Sequence, residues 1–359
     1  MAGLNNDIRT VSVFSGAGGL DFGAIMAGAN VVWANDMMKE ACQTYRMNIG
    51  DHIVCGDIND KIKELDEIND VSLVIGGPPC QGFSVAGKMD ANDKRSQLIW
   101  TYLSVLAMLK PCAFVMENVK ALGTLQKWEG TRNLLIRSMR DLGYSVNFMV
   151  LNAKDFDVPQ ARERIFIIGF RGSSELVPDL YKMMEPYRKP ARILREVLLT
   201  LDRAGPGNNQ EVCRAKITLA RHPVLRRTPY AGMIFNGLGR PLRLDGYSAT
   251  LPASMGGNKT PIIDENELYY GAKPWVETYF REMLSNPLAF ETTNIPSFLR
   301  RITVSEAALI QTFPKEYQFQ GSQSMKYTQI GNAVPCNLAK AVVQMVIDVL
   351  KKKKEIISA

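Results

Sequence analysis

The sequence has few of the residues that build metal centres or disulfide frameworks. It contains 6 cysteines and 2 histidines among 359 residues, and no two cysteines form a Cys-x-x-Cys pair, so a structural zinc site is not expected. The N-terminal residues are largely polar and lack the apolar core of a signal peptide. No continuous apolar run approaches the roughly 20 residues of a membrane span. We therefore expect a soluble, intracellular protein without a metal site.

Positive charge exceeds negative charge, and the excess is concentrated in one stretch. The formal net charge of +7 is by itself weak evidence for a polyanionic partner. Residues 188–243 contain few acidic side chains and many glycines and prolines, which predicts an irregular, loop-rich surface. The basic residues of this stretch are Arg188, Lys189, Arg192, Arg195, Arg203, Arg214, Lys216, Arg221, Arg226, Arg227, Arg240 and Arg243.

Strand-like and helix-like segments alternate in the first half of the chain. Short apolar runs rich in β-branched residues occur at 11–14, 31–34, 71–75 and 113–116. Segments with helical spacing lie between or after them, at 37–47, 98–109 and 131–142. Such alternation favours a parallel sheet with helices on both faces. The sequence therefore predicts an α/β fold with a Rossmann-like sheet.

A glycine-rich segment follows the first predicted strand. It consists of Phe14, Ser15, Gly16, Ala17, Gly18 and Gly19. Glycines where a helix begins let the backbone approach a ligand closely. Asp36, at the end of the second strand, could accept hydrogen bonds from ribose hydroxyls, and Asp57, followed by Ile58, could bond an adenine amine. These features fit S-adenosylmethionine as well as a nicotinamide dinucleotide, although Asp21 interrupts the Gly-x-Gly-x-x-Gly spacing.

A cysteine between prolines and glycines follows the buried strand at 71–75. Pro78 and Pro79 stiffen the backbone before Cys80, and a thiolate is the strongest nucleophile among ordinary side chains. Glu117 follows the next strand, and the carboxyl ends of parallel strands meet at one edge of a sheet. We therefore expect Cys80 and Glu117 to converge as nucleophile and proton donor.

Two arginines lie two residues apart on a segment that precedes another predicted strand. If the segment is extended, Arg162 and Arg164 point to the same side. They could then clamp a phosphate or a base carbonyl.

Together these motifs resemble those of the C5-cytosine DNA methyltransferase family, of the bacterial or phage modification type, and they occur in the family's order. The resemblance spans nearly the whole chain. Besides Asp36 and Asp57, the matching segments are 14–19, 77–84, 117–119, 160–164, 300–303, 311–314 and 329–335.

The resemblance implies methyl transfer from S-adenosylmethionine to C5 of a cytosine that is flipped out of a specific duplex DNA site. Cys80 would attack C6 and form a covalent intermediate, and Glu117 would protonate N3. Arg162 would hold the base carbonyl, and Arg164 would support the site.

The same resemblance implies cofactor and DNA contacts. The cofactor residues would be Phe14, Ser15, Gly16, Ala17, Gly18, Gly19, Asp36, Met37, Asp57, Ile58, Pro78, Leu98, Asn332 and Ala333. Met37 stands where the family often has an aromatic residue that packs on adenine. The DNA contacts would be Gln81, Ser84, Lys88, Arg95, Arg226, Arg227, Arg240, Arg243 and Thr250, with 83–97 as a mobile catalytic loop.

The family's large domain is built from both ends of the chain. We therefore expect a Rossmann-like, S-adenosylmethionine-dependent catalytic domain from residues 1–185 and 323–359. Residues 186–322 would form a smaller, irregular DNA-recognition domain, in which Thr250 and Leu251 close the variable segment.

Two alternative functions share much of this pattern. A tRNA cytosine-C5 methyltransferase has most of the motifs, but Gly82 after Gln81 and the long basic region favour DNA. A catalytically inactive DNA-binding homologue would be expected to lose Cys80 or Glu117, and both are present. The expected partners are double-stranded DNA and a cognate restriction endonuclease that acts on the same site without a physical complex. We expect a monomer in the bacterial cytoplasm, associated with the nucleoid through DNA.

Overall fold

The structure is a computed structural model that describes residues 7–79, 94–172, 178–286 and 294–358, with the backbone alone at 94–97 and 353–358. Cys80 and three of the predicted DNA contacts, Gln81, Ser84 and Lys88, therefore lie outside the described residues, as does the side chain of Arg95. Most of the predicted catalytic loop, 83–97, also lies outside them.

The described elements alternate as expected in the first half of the chain. The strands are β1 (Ile8–Val13), β2 (Ala29–Asp36), β3 (Ile53–Cys55), β4 (Leu73–Gly76), β5 (Ala113–Val119), β6 (Tyr144–Asn152), β7 (Gln160–Ala161), β8 (Glu163–Arg171), β9 (Leu219–Val224), β10 (Met233–Phe235), β11 (Ser248–Ala249), β12 (Ile262–Asp264) and β13 (Leu299–Arg301). The helices are α1 (Gly19–Met26), α2 (Lys39–Asn48), α3 (Ile58–Lys61), α4 (Lys94–Leu109), α5 (Lys120–Thr124), α6 (Glu129–Asp141), α7 (Leu180–Met184), α8 (Leu194–Leu198), α9 (Glu265–Tyr270), α10 (Trp275–Ser285), α11 (Val304–Ile310), α12 (Gln323–Asn332) and α13 (Cys336–Ser358).

Seven strands form one sheet in the order β3-β2-β1-β4-β5-β8-β6. The pairs β1–β2, β2–β3, β1–β4 and β4–β5 are parallel, whereas β8 runs antiparallel to β5 and to β6. The central strand β4 is buried along its whole length, as expected for a strand covered on both faces. This sheet confirms the predicted α/β class, with one antiparallel strand that the alternation did not indicate.

The chain divides into two compact units. The first contains residues up to Asp157, Glu163–Pro190 and the chain from Ala333 onward, and the second contains Val158–Arg162 and Ala191–Asn332. The domain boundaries expected from the sequence, after residues 185 and 322, lie somewhat earlier in the chain. The assignment of catalysis to one unit and recognition to the other stays a prediction.

Short strands and loops make up most of the second unit. β9 and β10 form an antiparallel ribbon, β7 pairs with β11, and β12 pairs with β13. Ile234 and Phe235 of the ribbon share an apolar cluster with Tyr279 and Phe280 of α10. The unit is irregular, as its glycines and prolines predicted.

One described segment, Gln323–Lys352, is long and apolar enough by composition to cross a membrane. In the structure, 67% of its apolar window is buried inside the protein. Burial of this kind is typical of a core helix.

The first and last helices of the first unit pack closely at Gly23. A Cβ at this position would lie 2.5 Å from the carbonyl oxygen of Cys336 in α13 and closer still to Ala339. Both groups belong to the helix itself and have little freedom to move, so any larger side chain would push the two helices apart.

We expect Gly23→Ala to lower the free energy of unfolding by about 1–3 kcal/mol, the usual cost of overpacking. The matched control is Gly130→Ala in α6, where nothing lies within 4 Å of an added Cβ. That substitution should raise stability by about 0.5–1 kcal/mol, because alanine loses less backbone entropy in a helix. Urea denaturation measures both, and equal effects would contradict the packing argument.

Candidate active site and nucleic-acid interface

The glycine-rich turn after β1 begins with a residue in an unusual backbone conformation. Phe14 has φ 58, the left-handed region that bulky residues rarely adopt. The turn is held by hydrogen bonds from Ser15 N to Asn35 O (2.9 Å) and from Gly18 N to Ser15 O (2.9 Å), and α1 then begins at Gly19. Strained residues of this kind concentrate at binding sites, which supports a ligand-binding role for the turn.

Asp36, at the end of β2, fixes the shape of this turn. Its two carboxylate oxygens accept hydrogen bonds from Gly16 N and Met38 N, each at 2.8 Å. Burial raises the pKa of Asp36 from its usual value, and the backbone N–H groups of Met38 and Gly16 counteract the rise. A carboxylate has about four acceptor positions, so Asp36 retains acceptor capacity for ribose hydroxyls. The next side chain, Met37, is 70% exposed and available to cover a planar ring.

The end of β3 lies at the same edge of the sheet as the turn after β1 and the end of β2. Asn35 donates from Nδ2 to the carbonyl oxygens of Val54 (2.9 Å) and Gly56 (3.0 Å), which joins the ends of β2 and β3. Asp57 is exposed and caps α3 by accepting from Asn59 N at 2.9 Å.

The remaining predicted cofactor residues differ in burial. Ile58 is buried, and Leu98 packs against the same apolar cluster. Ala17 and Pro78 are also buried, whereas Ala333 is half-buried. Asn332 is exposed at the end of α12 in the second unit. These positions stay predictions.

The edge formed by β1, β2 and β3 fits S-adenosylmethionine by the chemistry of its groups. Nothing lies within 4 Å of the position that a Cβ on Gly16 would occupy, so the turn leaves open space. Asp36 and Asp57 supply acceptors on neighbouring strand ends, suited to hydroxyl and amino groups. Among the described residues, no group of three or more His, Cys, Asp or Glu side chains could hold a metal ion.

Glu117, in β5, is the candidate proton donor, and its carboxylate is paired. Arg164 Nε lies 2.9 Å from Glu117 Oε1, with both side chains largely buried. β8 brings the two together, because Val119 in β5 pairs with Arg164 across the antiparallel ladder. The antiparallel strand therefore supplies the cation beside the predicted acid.

The segment that leads to Cys80 lies beside the same carboxylate. Asn118 Nδ2 donates to the carbonyl oxygen of Pro78 at 3.1 Å, which ties this segment to β5. A Cβ on Gly77 would lie 3.1 Å from Glu117 Oε2, so a larger residue there would crowd the acid. The geometry brings the approach to Cys80 and the Glu117–Arg164 pair together.

Arg162 has a different environment from the one expected. Its guanidinium is 1% exposed and donates to the carbonyl oxygens of Leu251 (3.2 Å) and Gly331 (3.0 Å) within the second unit. The expectation assumed an extended segment, but Arg162 N bonds to Gln160 O at 3.0 Å, which breaks the alternation between β7 and β8. Arg162 and Arg164 consequently serve different neighbours, and contact of Arg162 with a base stays a prediction.

The predicted DNA contacts in the second unit are all exposed. Among the described residues, no ion-pair partner lies near Arg226 or Arg227, which follow β9 in the β9–β10 connection, or near Arg240. Arg243 instead pairs with Asp245, with Nε 2.9 Å from Oδ1. Thr250 donates from its hydroxyl to Ala161 O at 3.2 Å.

A buried arginine that the site predictions did not include organises the irregular loops. Arg301 is 1% exposed and donates to the carbonyl oxygens of Thr260 (2.6 Å), Ala215 (3.0 Å) and Lys216 (3.4 Å). The matching segment 300–303 was the available signal, but a sequence pattern does not reveal that a guanidinium bonds to main-chain carbonyls. Arg301 therefore acts on the shape of the predicted DNA interface only through the backbone it holds.

The comparisons with known proteins define the class. The family model for C-5 cytosine-specific DNA methylase matches residues 8–348. The chain is 32% identical over 349 residues to the Type II methyltransferase M.MthTI of Methanothermobacter thermautotrophicus, covering 96% of this chain and 97% of the relative. It is 31% identical over 386 residues to the Type II methyltransferase M.BspRI of Lysinibacillus sphaericus, covering 95% and 82%.

A solved structure shows the same fold. The Dnmt2 methyltransferase of S. pombe superposes with a TM-score of 0.63 at 18% identity, covering 96% of this chain and 99% of that one.

The chain belongs to the C-5 cytosine-specific DNA methylase family. It is a DNA (cytosine-5-)-methyltransferase, and S-adenosylmethionine is its methyl donor.

Mutations of Arg162 and of Arg164 should have different consequences. We expect Arg162→Leu to lower the free energy of unfolding by about 2–5 kcal/mol, because two buried carbonyls lose their donor. Arg164→Lys keeps a cation beside Glu117 and should leave stability within about 1 kcal/mol, yet slow methyl transfer because the planar fork is lost.

Urea denaturation and single-turnover methylation of the two variants test this division. An Arg162→Leu protein with wild-type stability and no activity would instead support the original assignment of Arg162 to the base.

Proposed function

We propose that this enzyme methylates C5 of a cytosine flipped out of a specific duplex DNA site, through a covalent bond between Cys80 Sγ and C6. The observation that carries the proposal is the Glu117–Arg164 pair beside the Gly77–Pro78 segment. An acid and a cation next to the approach to a nucleophilic thiol suit addition to a pyrimidine ring. Flipping is required because C6 and C5 are shielded within the base stack.

The reaction follows from the chemistry of these groups. The Cys80 thiolate adds to C6 while Glu117 gives a proton to N3, so that electron density accumulates at C5. S-adenosylmethionine supplies an electrophilic methyl group when bound. After C5 has gained the methyl group, the C5 proton passes to water, the N3 proton returns to Glu117, and the Cys80 thiolate leaves, which restores the aromatic ring. Arg164, which contacts Glu117, would support the site, and the contact of Arg162 with the base carbonyl stays a prediction beside its bonds to Leu251 and Gly331.

The similarity to Type II methyltransferases supports a role in restriction–modification. A cognate endonuclease would then cut the same site when it is unmethylated, without a physical complex. The tRNA cytosine methyltransferase alternative is not favoured, because these relatives are Type II methyltransferases. We further propose a monomer that acts in the bacterial cytoplasm and associates with the nucleoid through DNA.

Bisulfite sequencing of DNA from cells that express the enzyme tests the proposal directly. We expect protected cytosines within one short recurring sequence, and none in cells that express Cys80→Ala. Bisulfite sequencing of tRNA from the same cells is the second arm. Protection in tRNA but not in DNA would overturn the proposed substrate.

The covalent step predicts a trapped complex. DNA that carries 5-fluorocytosine should form an adduct with the wild-type protein, because fluorine blocks the final elimination, and none with Cys80→Ala. Glu117→Gln keeps the thiol and should form the adduct about 10²–10⁴-fold more slowly, the range of an acid–base group. Denaturing electrophoresis measures the adduct, and an adduct with Cys80→Ala would refute the nucleophile assignment.

We propose that residues 200–260 choose the DNA site. A two-stranded ribbon such as β9–β10 can enter a major groove, and Arg226 and Arg227 follow β9 at its end. Arginines that face phosphates give affinity without sequence information, whereas arginines that reach guanine edges discriminate between bases.

Single substitutions to alanine at Arg226, Arg227 and Arg240 should fall into two groups. In one group, each substitution makes the slope of log affinity against log salt concentration shallower by roughly one unit. The other keeps the slope and loses about 1–3 kcal/mol of preference at one base pair. The control is the double variant Lys61→Ala, Glu64→Ala, which removes an ion pair outside residues 200–260 and should leave the slope unchanged. Unaltered site preference in every variant would place specificity elsewhere.

A further inference from the structure

A buried carboxylate lies directly behind the glycine-rich turn. Asp21, in the first turn of α1, is 0% exposed. Its Oδ1 accepts a hydrogen bond from the hydroxyl of Tyr45 in α2 at 3.0 Å. The hydroxyls of Ser12 and Ser15, which bond to each other at 2.9 Å, face the same carboxylate and lower the pKa of Asp21 by hydrogen bonding.

No cation in the described part of the chain is paired with this carboxylate. Three neighbouring groups can titrate. His52 Nε2 lies 3.0 Å from the Tyr45 hydroxyl, and burial lowers the pKa of His52, so the imidazole is neutral at pH 7.5. Cys336 of α13, which packs on α1, has a pKa raised by burial and is also neutral. Asp36, bonded to Gly16 of the turn, is a second carboxyl group, and burial raises its pKa as well.

Burial raises the pKa of Asp21 to about 6. Asp21 is therefore mostly ionised above pH 7 and becomes neutral as the pH falls below about 6. An ionised carboxylate in such a place is costly unless a positive charge approaches it. The described residues provide no such charge here, and the space in front of the turn is where the cofactor is proposed to bind.

The methyl donor and its product differ by one positive charge. S-adenosylmethionine carries a sulfonium cation, whereas S-adenosylhomocysteine has a neutral thioether, and the two share their amino acid and nucleoside parts. We propose that Asp21 is a specificity-determining residue that favours the cationic methyl donor over the product. The proposal rests on the placement of the cofactor at the Phe14–Gly19 turn. Its physical basis is that charge interactions weaken slowly with distance where water is excluded.

The preference should depend on pH with a defined sign. Above about pH 7, Asp21 is negative and attracts the sulfonium. As the pH falls through about 6, the carboxyl is protonated and the attraction is lost. Asp36 is proposed to contact the ribose, but its charge would also act on the sulfonium. The pH dependence that remains in Asp21→Asn therefore measures the share of Asp36 and of other groups, and its difference from the wild type isolates Asp21.

Calorimetric titration of the whole enzyme with S-adenosylmethionine and with S-adenosylhomocysteine, from pH 5.5 to pH 8, measures the ratio of their dissociation constants. At pH 8 we expect Asp21→Asn to lower the preference for S-adenosylmethionine over S-adenosylhomocysteine by about three- to tenfold, the order expected for one charge interaction through protein. The wild-type ratio should fall toward that of Asp21→Asn at pH 5.5. An analogue with an ammonium group in place of the sulfonium should follow the methyl donor.

Tyr45→Phe provides a second variant that keeps the carboxyl. It removes the donor that stabilises the ionised form, so the midpoint of the pH-dependent ratio should move to higher pH. Two results would overturn the proposal: an equal loss of affinity for both ligands in Asp21→Asn, or a wild-type ratio that is constant with pH. Failure of the wild type to bind either ligand would instead refute the proposed cofactor site.

Discussion

Hydrogen bonds of the side chains that end β2 hold together the edge of the sheet where the cofactor is proposed to bind. Asp36 accepts from the glycine-rich turn on one side, and Asn35 donates to the end of β3 on the other. Three turns that are distant in sequence are thereby fixed relative to one another before a ligand arrives. A polar group that organises the backbone and also faces the ligand reduces the ordering that binding must supply.

Arginine has several uses in this enzyme, and burial decides among them. Arg164 pairs with the carboxylate of Glu117. Arg162 and Arg301 are buried and donate to main-chain carbonyls, most of them outside sheets and helices, whereas Gly331 lies in the last turn of α12. Irregular segments leave carbonyls without partners, and a guanidinium with five donors can satisfy several of them at once. Loops that must differ among enzymes with different targets can thus be held without regular secondary structure.

The α/β class and the family could be predicted from the sequence because the motifs follow buried strands, where the chain must turn and ligands gather. The antiparallel direction of β8 could not, since alternation of strands and helices gives no direction for the later strands. The different environments of Arg162 and Arg164 could not be predicted either, because residues two apart point to the same side only where the strand is regular. The pairing of Arg243 with Asp245 was hidden for another reason: the acid lies just outside the basic stretch.

The packing of α13 against Gly23 has a consequence for how the protein is made. The first helix follows directly from the glycine-rich turn, yet its close partner α13 begins only at Cys336. Contacts between segments that are distant in sequence slow the search for the folded state. The helix that follows the turn therefore gains its close partner only after α13 has been synthesised.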